Sequence, residues 1–158
     1  MYDLGIDNVV VVSCNFGYEP FAGSLCVIGG RIAEVRRTSV APDECAEWID
    51  GGGKILMPGL VNCHCHGDMT LARGLGDDMT LLEQIKAYDS HNWFYNLIND
   101  DDRFHARQLA YCELLLSGCT FVCENMYWGL GTDSVRAMTS TGIKGALVED
   151  VRRDFSDR

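Results

Sequence analysis

Positive charge is scarce in this sequence: 13 lysines and arginines stand against 23 aspartates and glutamates, a formal net charge of −10. Binding a polyanion needs basic residues gathered into a stripe or patch. None is present, so nucleic acid and an anionic membrane surface are excluded as partners. Long apolar runs are missing as well. No run approaches the ~20 residues that cross a bilayer, and Met1-Tyr2-Asp3-Leu4-Gly5 lacks the charged-then-apolar pattern of a secretory leader. These absences point to a cytoplasmic protein. In that setting the eight cysteines read as reduced thiols rather than as a disulfide framework. Cys26, Cys112, Cys119 and Cys123 stand at positions expected to pack as small hydrophobes. Histidine is sparse too: there are only four, and two of them are one residue apart.

Those two close the stretch around which the chain is organised. An apolar run over 53–57 is broken by Pro58-Gly59 and resumes as Leu60-Val61-Asn62-Cys63-His64-Cys65-His66, with Gly67-Asp68-Met69 following. The pattern predicts a buried strand that stops where it presents two imidazoles. Side chains alternate along a strand, so His64 and His66 point one way and Cys63 and Cys65 the other. A compact Cys-His-Cys-His zinc knuckle is disfavoured for the same reason, because thiols and imidazoles on opposite faces cannot converge on one ion. What remains is a two-histidine pincer of the ligand type that zinc-like metals prefer.

Before this stretch, residues 4–12, 24–28 and 31–36 read as strands, the last two joined by Gly29-Gly30, a tight hairpin signal. A small antiparallel sheet is expected, with 42–47 as a loop. The Gly51-Gly52-Gly53 run lacks the lysine and helix start of a phosphate cradle and reads as a hinge. After His66, Thr80-Leu81-Leu82-Glu83 fits a capping box, with Leu81, Ile85 and Tyr88 on one helical face. A further helix runs from about Asn99 to Ser117-Gly118, its apolar stripe assigned to Leu109, Cys112 and Leu116. Residues 119–123 and 143–148 read as strands buried on both faces of a parallel sheet, with a short helix between them. The order strand, helix, strand, helix, strand is that of a parallel α/β barrel.

The run from Gly53 to His66, with Met69-Thr70-Leu71-Ala72-Arg73-Gly74 and Asp77-Asp78-Met79-Thr80-Leu81 after it, resembles the amidohydrolase superfamily. The nearest branch holds S-adenosylhomocysteine/methylthioadenosine deaminases, guanine and cytosine deaminases and triazine hydrolases. The resemblance implies a TIM (β/α)8 barrel, which takes roughly 250 residues. A chain of 158 residues has room for the first three β/α units only. The expected architecture is therefore α/β: an incomplete barrel over 58–158, preceded by a small β-sandwich portion over 1–57. The missing strands would come from the remainder of the barrel or from a second chain. A homo-oligomer is compatible with this.

The resemblance also implies the chemistry. His64 and His66 are expected to ligate a divalent metal, zinc ahead of iron, that activates water for hydrolysis of a non-peptide C–N bond in a small heterocyclic substrate. The remaining catalytic and metal-binding residues of the family lie further along than this chain runs. Within it, Glu124 is the one candidate general base, with a loop-bonding role as its alternative. His91 and His105 fall on or beside helices, away from the strand ends. Asn125, at the end of its strand, is a candidate to line the substrate site. Trp93 stands close to where the nucleoside deaminases carry a ribose-binding glutamate. An indole stacks on a flat ring but cannot accept two hydroxyl hydrogen bonds, so a planar substrate without ribose is favoured. The competing reading is a truncated, non-catalytic remnant or interaction module that binds metal weakly.

Overall fold

A computed structural model describes residues 1–84, 86, 97–126 and 131–149. The chain divides into two compact units, Met1–Pro58 and Gly59–Arg158.

The first unit is built from β1 (Tyr2–Val11), β2 (Phe21–Ile28), β3 (Arg31–Arg36), β4 (Cys45–Asp50) and the short β5 (Ile55–Leu56). Gly29 and Gly30, with φ of 58° and 70°, turn β2 into β3 as the sequence requires. The sheet is not purely antiparallel, however. It runs β3-β2-β1-β4, and β1 pairs parallel with both β4 and β5. The expected loop at 42–47 is in fact a single 3-10 turn, Pro42–Glu44, that lets Cys45 enter a strand beside Tyr2. Cys26, Val40 and Cys45 form the buried centre, with Tyr2 and Trp48 against it. The Trp48 indole N–H donates to the Val40 carbonyl at 2.9 Å, which satisfies the one polar atom that burial of the ring would otherwise strand.

The second unit is a parallel sheet in the order β6 (Leu60–Cys65), β7 (Cys119–Met126), β8 (Lys144–Glu149). Thr80 and Glu83 form the expected capping box at α1 (Leu81–Gln84), the hydroxyl donating to the carboxylate at 2.7 Å. Leu81 is nevertheless exposed, and Ile85, Tyr88, His91 and Trp93 lie outside the described residues. The helices α2 (Asp100–Leu116) and α3 (Gly131–Thr141) connect the strands. Asn99 caps α2 by accepting from the Asp102 amide at 3.0 Å, and Asp102 returns the bond to the Asn99 amide. Ala110 and Tyr111 of α2 and Ala137 and Met138 of α3 meet Val122 of β7, with Ile143 completing the core.

Two expectations fail here for one reason. Leu60 and Val61 are 52% and 57% exposed, because β6 pairs only with β7 among the described residues. In β7, Val122 and Glu124 are buried, whereas Phe121 and Cys123 on the opposite face are only half-buried. The helices cover one face of the sheet, so the two-sided burial read from the apolar runs is realised on that side alone. The stripe on α2 is also reversed: Leu109, Cys112 and Leu116 face outward, and Ala106, Arg107, Ala110 and Tyr111 face in. A helix with apolar residues on both sides has no single face that periodicity can choose.

Gly145 of β8 has no room for a side chain between α3 and the neighbouring strand β7. A Cβ there would stand 2.6 Å from Met138 Cε and 2.7 Å from the Val122 carbonyl oxygen, and a backbone atom cannot step aside. Gly145→Ala is expected to destabilise the chain by about 1–3 kcal/mol, as overpacking does. Urea unfolding reads this directly, and an unchanged midpoint would mean that the two layers sit further apart than described.

A candidate metal centre

The site begins with an irregularity in pairing. Asn62 of β6 lies opposite Val122 and Cys65 opposite Glu124, so β6 holds one residue more than β7 across this interval. Asn62 Oδ1 accepts the His64 amide hydrogen at 3.1 Å, taking up a donor that the bulged strand does not give to the ladder. Bulges of this kind re-aim side chains next to functional sites. Here the result is convergence of the two rings: His64 Nε2 and His66 Nε2 are 3.1 Å apart, with the ring planes at 85°.

Each imidazole is held from β7 by one residue. His66 Nδ1 is 3.0 Å from the Asn125 carbonyl oxygen. A carbonyl only accepts, so Nδ1 carries the proton and Nε2 is left with its lone pair. This is the tautomer that a metal ligand needs, fixed as ligating histidines commonly are, by a backbone carbonyl behind the ring. The Asn125 side-chain amide lies 3.4 Å from His64 Nδ1. Asn125 thus stands on the same face as the pair and touches both rings.

Glu124 is turned the other way. It is fully buried on the helix side of β7, accepting from the Gly67 amide at 3.1 and 3.3 Å and from Arg107 Nε at 3.2 Å. Its partners are thus a loop amide and a buried guanidinium. Arg107, itself fully buried, also donates to Asp68 Oδ2 at 3.2 Å. Burial raises the Glu124 and Asp68 carboxyls, with Arg107 opposing the rise in each. Burial, then the neighbouring Glu124, pushes the Cys65 thiol up to about 12, so it is not a thiolate at neutral pH. Tyr111 is raised too, mainly by burial and then by Glu124. Sequence reasoning missed Arg107 and Asp68 altogether. The one signal was an arginine on a helix face otherwise made of small and aromatic residues, Ala106, Ala110 and Tyr111.

The two Nε2 atoms face each other across 3.1 Å. Held at zinc distances under a tetrahedral angle, such nitrogens would be about 3.3–3.4 Å apart, close to the observed spacing. Among the described residues no group of three His, Cys, Asp or Glu converges, so neither the Cys-His-Cys-His knuckle nor a third ligand is present there. His105 sits exposed on α2, its ring 2.8 Å from Gln108 Oε1. Among the described residues no helix is long and apolar enough to cross a membrane.

No model of a known protein family matches the chain. A curated 5-methylthioadenosine/S-adenosylhomocysteine deaminase from Desulforudis audaxviator is 38% identical over 131 residues, which is 80% of this chain and 29% of the relative. The chain therefore spans less than a third of the length of the curated relatives it matches. Among solved structures, atrazine chlorohydrolase from Arthrobacter aurescens TC1 complexed with zinc superposes with a TM-score of 0.82 at 19% identity, covering 92% of this chain and 35% of that one. An adenosine deaminase from Xanthomonas campestris with bound zinc superposes with a TM-score of 0.76 at 25% identity, covering 91% and 33%. These relatives and neighbours are enzymes of the amidohydrolase superfamily, and the chain is similar to their amino-terminal portion.

Proposed function

We propose that this chain supplies the first two metal ligands, His64 and His66, of a metal-dependent hydrolase of deaminase type that cleaves a non-peptide C–N bond in a small heterocyclic substrate. The observation that carries this reading is the 3.1 Å approach of the two Nε2 atoms, with the His66 tautomer set by a carbonyl. On this reading β6, β7 and β8 are the first three strands of a (β/α)8 barrel, 58–158 is the opening of that barrel, and 1–57 is a portion of a small composite β-sandwich. The protein is cytoplasmic.

His64 and His66 would hold a divalent ion, zinc ahead of iron, which when bound would supply a water acidic enough, with a pKa of about 7, to serve as nucleophile at neutral pH. This chain's own residues do the holding. His66 donates from Nδ1 to Asn125 and offers Nε2. Asn125 orients both rings and lies at the rim where a substrate enters. Trp93 provides a flat apolar surface for a planar ring. Proton transfer falls to residues outside this chain, and the chain alone is inactive.

The test compares the 158-residue chain with a protein of the relatives' full length carrying it, both supplied with zinc. Ammonia release is measured from 5'-methylthioadenosine, adenosine, guanine and cytosine. The longer protein is expected to release ammonia from at least one of these, and the short chain from none. A longer protein that retains zinc yet hydrolyses none of them would sink the deaminase assignment.

A further inference from the structure

We propose that Arg107 is a positioning residue for the histidine pair, acting through Glu124 and Asp68 on the turn that starts at His66. The inference rests on reading His64 and His66 as metal ligands, and it adds the device that aims them.

Three consecutive residues are held in three different ways. The His66 ring is bonded to the Asn125 carbonyl, the Gly67 amide to the Glu124 carboxylate, and the Asp68 carboxylate to Arg107 Nη2. Arg107 Nε bonds the same Glu124, so the arginine closes a buried loop of contacts that runs from α2 to β7, to Gly67, to Asp68 and back. Gly67 makes this possible. A Cβ there would lie 2.9 and 3.1 Å from the two Glu124 carboxylate oxygens and 3.2 Å from Arg107 Cγ, so the turn is pressed flat against the pair.

A buried ion cluster of this kind is weak evidence for stability, because desolvation offsets much of the attraction; its best-attested use is to fix geometry. The geometry at stake is that of His66, whose next two residues are both tied down. Arginine rather than lysine is needed. Two carboxylates from different elements are engaged by two N–H groups of one rigid plane, and an ammonium cannot reproduce that fork.

Zinc affinity is measured by competition with a chelating dye for the wild-type chain, Arg107→Lys, Glu124→Gln and Met138→Ala. The last is a core truncation in the same unit, in the cluster that Met138 forms with Ala110, Val122 and Ile143. In the metal-free chains, the ¹⁵N ring signals of His66 and the exchange rate of the Gly67 amide are recorded. Arg107→Lys and Glu124→Gln are expected to weaken zinc binding about tenfold to a hundredfold, the usual cost of removing support behind a ligand. They should also speed Gly67 exchange and let the His66 ring populate both tautomers, while Met138→Ala changes none of these. The proposal is overturned if Arg107→Lys keeps wild-type affinity and the Nδ1-protonated ring, or if Met138→Ala is as damaging at equal loss of stability. Should Arg107→Lys not fold, the isosteric Glu124→Gln decides by the same readouts. A wild-type chain that takes up no zinc would remove the metal reading alone, since the ring tautomer and amide exchange still test Arg107.

Discussion

His66→Ala is expected to take zinc binding from the chain, and His64→Ala to do nearly the same. No third His, Cys, Asp or Glu joins the two imidazoles among the described residues, so removing either leaves a single nitrogen and open water positions, too few to compete with solvent. His66 should matter more. Its ring is fixed by the Asn125 carbonyl at 3.0 Å and it precedes a tethered turn, whereas His64 is exposed and meets the Asn125 amide only at 3.4 Å. An ion gains most from a ligand whose orientation is already set. Equilibrium dialysis against zinc gives the readout, with His105→Ala as the control, since that ring is occupied by Gln108 on the surface of α2. If the double variant His64→Ala/His66→Ala held as much zinc as wild type, the ion would be bound elsewhere and the hydrolase reading would lose its only anchor in this chain.

The histidine pair could be picked out from sequence because its signal is local, two imidazoles at a spacing of two at the end of an apolar run; the bulge between Asn62 and Cys65 that brings their Nε2 atoms to 3.1 Å could not. The Gly29-Gly30 hairpin and the Thr80–Glu83 cap were legible for the same reason, each being a short-range rule about φ or about free amides. What could not be read depends on which elements meet. Nothing in 42–50 says that Cys45 lies beside Tyr2 in a parallel pair, since that register is set across more than forty residues. Leu109, Cys112 and Leu116 satisfy helical periodicity as well as Ala106, Ala110 and Tyr111 do. The choice between the two faces was made by Arg107, which must bury itself to reach Asp68 and Glu124.

Arg107→Met is expected to cost about 3–5 kcal/mol at neutral pH, because it takes from two buried carboxylates the guanidinium bonded to both, leaving Asp68 only the weaker influence of Arg103. That is a large share of the ~5–15 kcal/mol that holds a typical domain folded. The deficit should depend on pH with a definite sign. Asp68 and Glu124 are already raised in the folded chain, chiefly by burial, and Arg107 restrains both; without it they rise further. A carboxyl with a raised folded pKa holds its proton more tightly when folded. Its favourable contribution is therefore complete below the ordinary carboxylate range and is lost as pH climbs through the folded values. The variant should accordingly recover part of its stability between neutral pH and about pH 5. The first unit supplies an internal contrast. Glu34 is lowered by Arg36, Glu44 by the Ala41 amide and then Arg36, and Asp50 by the Gly52 amide and then Asn8. That unit loses stability as pH falls through the lowered values. Hydrogen exchange followed separately at Val9 and Val122 would resolve the two responses in one sample. A deficit at Val122 that stays constant over this pH range would mean that the methionine variant leaves no ionised carboxylate behind, and that the buried cluster is held by something other than its charge.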